Sequence, residues 1–151
     1  MQINDYIRKA FRGDETSILN LIKELAAYER EPDAVINTEK QLAIDLFDDQ
    51  ICDCFVYIHN EQIIGIALYY ISYSTWKGRC LYLEDLYVQP EHRRLGAGQK
   101  LFAVLLEEAK ELGVKRMDWQ VLEWNEPAIN FYKKIGATLD PEWLNGRMFF
   151  E

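Results

Sequence analysis

From Asp14 onward the apolar positions Ile18, Leu19, Leu21, Ile22, Leu25 and Ala26 recur at helical spacing, with Asp14 or Thr16 available as a cap. A second, shorter helix is predicted from Thr38, a capping residue, to about Phe47, with Leu42, Ile44 and Leu46 near its apolar side. The rhythm then changes. "CDCFVYIH" and "QIIGIALYYISY" are dominated by β-branched and aromatic residues, and the two residues "NE" between them suit a tight hairpin. A third strand follows as "CLYLEDLYV" and ends at Pro90. Gly98 to Leu112 carries Leu101, Phe102, Val104, Leu105, Leu106 and Ala109 on an amphipathic helix that Gly113 terminates. The strand "RMDWQVL", a helix from Pro127 to Ile135 stopped by Gly136, and a last strand over about Arg147 to Phe150 complete the predicted elements.

This order implies a mixed sheet with helices on both faces. A Rossmann alternation is missing from the first half, and no repeat, linker or low-complexity stretch interrupts the chain. With 151 residues, 49% of them hydrophobic, the chain can fill one core and is short for two ordinary domains, so a single domain over 1–151 is expected. No run approaches the roughly 18 apolar residues of a membrane span, and the opening "MQINDYIRKAF" lacks a signal peptide's apolar stretch. The expectation is a soluble, cytoplasmic protein without a membrane partner.

Cys52, Cys54 and Cys80 form no Cys-x-x-Cys pair, and His59 and His92 have no finger-like spacing, so neither a structural metal nor a disulfide framework is expected. The formal charge of −8 disfavours nucleic acid and anionic membranes and is compatible with attraction of cations.

The stretch "QPEHRRLGAGQKLF", placed between a strand and a helix, raises the question of chemistry. Such a turn presents unpaired backbone N–H groups and the positive end of a helix dipole, and glycine lets an anion approach them. Arg93, Arg94 and Lys100 reinforce a phosphate reading. A P-loop is excluded because Lys100 follows Gln99 and precedes Leu101. A dinucleotide fold needs a small residue where Leu101 stands and an acid ending the next strand, whereas Asp118 begins it. What remains is an ordinary glycine turn or a different phosphate site.

The pattern Arg-x-x-Gly-x-Gly/Ala after a strand, matched by Arg93, Gly96 and Gly98, resembles the pyrophosphate signature of the GNAT acetyltransferases. "YSTWKGR", "LYLEDLYV", "EWNEPAINFYKKIGA" and "LIKELAAYE" extend the resemblance over nearly the whole chain, toward the spermidine/spermine and thialysine acetyltransferases. "WNEPAINFY" is more similar to the first branch and "YSTWKGR" to the second, where a residue such as Ser74 replaces an acid. That replacement implies poorer use of polyamines than of thialysine. Arg94 stands where the family usually has glycine.

The resemblance implies an α/β (α+β) GNAT fold: a mixed, mostly antiparallel central sheet, helices on both faces, and a splay between the strand at 80–88 and the strand at 116–122. It implies acetyl-CoA as co-substrate, no metal, a small cationic amine as acceptor, and a homodimer. Arg93, Arg94, Leu95, Gly96, Ala97, Gly98 and Gln99 would hold the pyrophosphate, and Lys134 the outer phosphate. Leu86, Tyr87 and Val88 would line the pantetheine arm, Leu86 and Val88 pairing with it through the main chain. Asn125 would bond the arm, cap its helix, or both. Tyr28, Glu29, Trp76, Glu84, Trp119 and Glu142 would form the acceptor pocket, since aromatic faces and carboxylates suit a cation.

An amine of pKa about 10.4 is protonated at pH 7 and costs about 4.6 kcal/mol to neutralise. A nearby acceptor must take that proton. Glu84 and Asp85 are adjacent, so a regular strand points them to opposite faces; by resemblance Glu84 is the substrate-side carboxylate, with the role of attracting the ammonium and relaying its proton. A backbone N–H near Leu86 would stabilise the developing oxyanion, and Tyr132 would protonate the leaving thiolate. Two other functions fit the same turn: acetylation of a protein lysine or N-terminus, and non-catalytic acyl-CoA binding.

Overall fold

The computed structural model describes residues 4–150; the ends of the expected 1–151 domain, residues 1–3 and 151, lie outside them. The chain divides into two compact units, Met1–Trp119 and Gln120–Glu151.

The first unit holds a five-stranded sheet in the order β1-β2-β3-β4-β5, formed by Tyr6–Lys9, Asp53–His59, Gln62–Ser74, Gly78–Val88 and Met117–Asp118. The first four strands pair antiparallel, and β5 runs parallel to β4. The short β1 went unpredicted because four residues with a mixed exposure pattern carry little periodicity. Asn60 and Glu61 turn the β2–β3 hairpin with φ of 49° and 64°, the two left-handed residues that a type I′ turn requires. β2 is buried on both faces, so its hydrophobic run continues where a half-exposed strand would alternate.

Helix α1, Glu15–Tyr28, buries Ile18, Leu19 and Leu21. Neither expected cap acts at its start: the Asp14 carboxylate is taken by Arg8 Nη1 at 2.6 Å and the Phe11 N–H at 2.9 Å. Thr38 does cap α2, Glu39–Ala43, its hydroxyl accepting from Gln41 N–H at 3.1 Å; a π-type turn, Ile44–Asp48, continues it. Ile18, Leu21, Leu42 and Leu46 pack with Cys54, Val56, Ile66, Leu68 and Tyr87 in one core layer.

Helix α3, Ala97–Leu112, lies on the other face and buries Leu101, Phe102, Leu105 and Ala109. There Tyr69, stacked on Phe55, donates its hydroxyl to Glu108 at 2.6 Å, and Lys9 pairs with the same carboxylate. Helices therefore cover both faces of a mixed sheet. A 3₁₀ turn, Pro90–Leu95, precedes α3.

The second unit contains α4, Glu126–Lys134, with Asn125 as its cap. Two expectations fail. The strand expected over 116–122 is reduced to two residues, and 147–150 form no strand; Met148, Phe149 and Phe150 are more than four-fifths exposed. An apolar run becomes a strand only when a neighbour supplies hydrogen-bond partners, and no sheet edge is paired with this one among the described residues.

Candidate active site

Opposite Leu68 and Tyr69 the register of β4 slips: Asp85 pairs with Leu68 and Leu83 with Tyr69, which leaves Glu84 as an extra residue in a β-bulge. The slip has two consequences. Glu84 and Asp85 both line one cavity on the α1 side of the sheet, contrary to the opposite faces expected of a regular strand. The second consequence concerns the main chain. Leu81 donates its N–H toward β5, to Arg116, whereas Gln89, eight residues on, donates toward β3, to Ile64. In an unbroken strand the two would point the same way. Past the bulge, Leu86 and Val88 therefore turn their main-chain groups away from β3. On that side β5 has already left, since its pairing stops at Tyr82 and Asp118.

The cavity, of about 450 Å³, has an apolar wall of Ile22, Leu42, Ile51 and Leu68, with Tyr70, Cys52 and Asn37 beside it. Its charged groups are Asp45, Glu84 and Asp85, and none of its lining residues is basic. Among the described residues, the side chains of Glu84 and Asp85 have no hydrogen-bond or ion-pair partner. Burial pushes the Asp85 carboxyl up to about 7, reinforced by the charges of Glu84 and Glu29. Glu29, at the end of α1, is raised by burial and by Glu84, and the Tyr70 phenol is raised by the same two causes. Two adjacent unpaired carboxylates, one of them raised by burial and by its neighbour's charge, form a site that gains from accepting a cation or a proton. Asp85 is the residue sequence reasoning passed over; two acids side by side in an apolar strand were its only signal.

The glycine turn forms at the carboxyl end of β4. Gly96 has φ 70°, a left-handed conformation, and Ala97, Gly98 and Gln99 open α3, so their N–H groups have no carbonyl one turn back within the helix. A Cβ built at Gly98 would meet only Val88 Cγ2, at 3.9 Å. These donors fit an anion at the helix start. The basic side chains are arranged differently from expectation. Arg93 turns back, its Nε donating to the Val88 carbonyl at 3.1 Å and its guanidinium lying 5.6 Å from the Tyr28 ring and 5.9 Å from that of Tyr87. Lys100 Nζ donates to the Leu95 carbonyl at 2.9 Å. Both brace the turn, and Arg93 and Arg94 are both exposed. Tyr87 is buried in the α1 layer and donates its hydroxyl to Glu24 at 3.1 Å.

Of the expected acceptor residues, the structure brings Glu29 and Glu84 together. Tyr28 faces Arg93, Trp119 packs edge-on against Phe102 of α3, and Trp76 stands 86% exposed at the β3–β4 turn. None of these three aromatic residues lines the cavity. In the second unit, the Asn125 side-chain oxygen accepts from Ala128 N–H at 3.4 Å, the capping role. Tyr132 is buried on α4 with its ring 5.3 Å from Phe131, and Lys134 and Glu142 are exposed.

The family model described as Acetyltransferase (GNAT) family matches residues 16–137. The chain belongs to the GNAT acetyltransferase family. As a GNAT protein it is an acetyltransferase whose co-substrate is acetyl-CoA, and the anion-ready turn and split sheet are the features that fit that ligand. This GNAT chain is 41% identical over 140 residues to a thialysine N-epsilon-acetyltransferase of Bos taurus, covering 87% of itself and 82% of that relative. It is 35% identical over 134 residues to one of Caenorhabditis elegans, covering 87% and 83%. Spermidine/spermine N(1)-acetyltransferase-like protein 1 of Homo sapiens is 38% identical over 139 residues, 87% of this chain but 20% of that protein. A solved aminoglycoside acetyltransferase from an uncultured soil metagenomic sample superposes with TM-score 0.80 at 20% identity, over 97% of each chain, a likeness of fold.

Proposed function

We propose that this protein transfers the acetyl group of acetyl-CoA to the primary amine of a small cationic acceptor by direct attack, without a metal. The observation that carries the reading is the bulge at Glu84, which sets two unpartnered carboxylates over a cavity and opens the adjacent main chain of Leu86 and Val88. Acetyl-CoA supplies an activated thioester carbonyl. The acceptor's ammonium is drawn to Glu84 and Asp85, and the latter, near 7, is matched to accept its proton at neutral pH. The N–H of Leu86 is assigned to the developing oxyanion, the main-chain groups of Leu86 and Val88 to the pantetheine arm, and the N–H groups at 97–99 to the pyrophosphate. Tyr132 is assigned to protonate the thiolate, Asn125 to bond the pantetheine arm and Lys134 to meet the outer phosphate.

The acceptor class is a thialysine-like amino acid or a diamine; the names of the relatives at 41% and 35% identity favour the first. Since no lining residue is basic, an acceptor's own carboxylate has to lie outside the cavity. Ser74 accepts the N–H groups of Trp76 and Lys77 at 3.2 Å each and offers no carboxylate on the hairpin, so polyamines should react more slowly than thialysine. The family match crosses both compact units, which supports one acetyltransferase domain. Exposed Ile71, Tyr73 and Trp76 on the β3–β4 hairpin support a homodimer, and three free cysteines fit a reducing, cytoplasmic setting.

The test is thiol release from acetyl-CoA with thialysine, lysine, putrescine, spermidine and a lysine peptide. Turnover of the small amines, thialysine first, is expected. Tight CoA binding with no release by any amine would instead mark a binding module, and release by the peptide alone a protein acetyltransferase.

A further inference from the structure

Asp5, immediately before β1, is a buried carboxylate that the chemistry above does not use. Its side chain is 1% exposed. The Tyr57 hydroxyl donates to its Oδ2 and His59 Nδ1–H to its Oδ1, each at 2.8 Å. With Nδ1 as the donor, His59 Nε2 is left to accept from the Asn60 amide at 3.3 Å. A buried carboxylate that holds one ring nitrogen fixes the orientation of the imidazole, as it does for metal-bound histidines. The oriented ring packs against His92, centroid to centroid 5.0 Å and tilted by 56°.

His92 lies in the 3₁₀ turn Pro90–Leu95, directly before Arg93. That turn buries none of its own side chains, and 3₁₀ hydrogen bonds are poorly aligned, so it has little to hold it against the sheet. Gln89 reaches Ile64 through its N–H and Glu24 through its side-chain amide, Arg93 reaches Val88 and lies near the Tyr28 and Tyr87 rings, and Lys100 reaches Leu95. The side-chain contact of the turn with the β2–β3 hairpin is His92 on His59.

We infer that His59, oriented by Asp5, is a positioning residue for the coenzyme turn: through His92 it fixes Pro90–Leu95 and thereby sets the affinity for CoA without touching it. The inference rests on the reading of residues 93–99 as the pyrophosphate site. It requires a ring at position 92, not a titrating nitrogen.

The experiment measures CoA binding by calorimetry, KM and kcat for acetyl-CoA, KM for the amine, and Tm, on the full chain. For His59→Ala and His92→Ala, CoA Kd and acetyl-CoA KM are expected to rise about two- to tenfold, the size of an aromatic pair, with kcat and amine KM unchanged. His92→Phe retains wild-type affinity. Tyr57→Phe removes the Tyr57 hydrogen bond to Asp5 without reaching the turn, so it lowers Tm and leaves CoA affinity alone. If His59→Ala and His92→Ala bind CoA as the wild type does, the inference falls and the coenzyme reading stands. Equal weakening in Tyr57→Phe also overturns it, because the effect would then be general loss of stability. Failure of the wild type to bind CoA removes both.

Discussion

Asp85→Asn should stabilise the protein at alkaline pH while disabling it. In the unfolded chain this carboxyl ionises near its ordinary 3.8; in the folded protein burial and the charges of Glu84 and Glu29 hold it near 7. Between those values the folded state binds one more proton than the unfolded state, so the stability from this group is fully present below 3.8 and is lost as pH rises through about 7. The interval amounts to about 4 kcal/mol at about 1.4 kcal/mol per pH unit. Between about pH 4 and about pH 8 the wild type should therefore lose up to about that much more stability than Asp85→Asn loses, because an amide has no charge to desolvate. Urea denaturation of both proteins at several pH values measures the difference. In activity, the wild-type kcat/KM should climb through pH about 7, and Asp85→Asn should lose that limb together with about 10²- to 10⁴-fold in rate. Parallel stability curves for the two proteins would refute the desolvated carboxylate. An unchanged pH–rate profile would refute its role as the base.

Gly65→Ala should cost about 1–3 kcal/mol, because a Cβ there would stand 3.1 Å from Val88 Cγ2, 3.2 Å from Leu101 Cδ1 and 3.3 Å from the Tyr87 carbonyl, which cannot rotate away. An unaltered urea midpoint would show that β3, β4 and α3 relax more readily than close packing permits. Tyr132→Phe should lower kcat about 10²-fold with little change in KM, read from steady-state kinetics; retention of kcat within a few fold would place the thiolate's proton donor elsewhere.

Much of the fold was legible because it is written in local patterns. Helix-period apolar positions in α1 and α3 follow from each helix facing one layer, and the Asn60-Glu61 turn follows from the two-residue gap between strand-like runs. The glycine turn was legible too, since residues 89–96 lie between a strand and a helix as their pattern implied. Local pattern misled where an element depends on a neighbour. The apolar residues at 147–150 read as a strand, yet a strand exists only where another backbone pairs with it. Asp14 stood where a cap belongs, but Arg8, brought close by β1, took its carboxylate.

Sequence by itself determined the order of the main helices and strands from α1 to α4, the glycine turn after β4 and the likeness to an acetyltransferase, since each depends on residues adjacent in the chain. Tertiary structure alone decided that Glu84 and Asp85 share one cavity, that Leu86 turns toward the split in the sheet, and that Arg93 braces the turn. A bulge is a mismatch between two strands, so "LYLEDLYV" cannot announce it without Leu68 and Tyr69 across the ladder. Protonation of Asp85 near 7 likewise arises from burial and from the charges of Glu84 and Glu29, which only folding brings together.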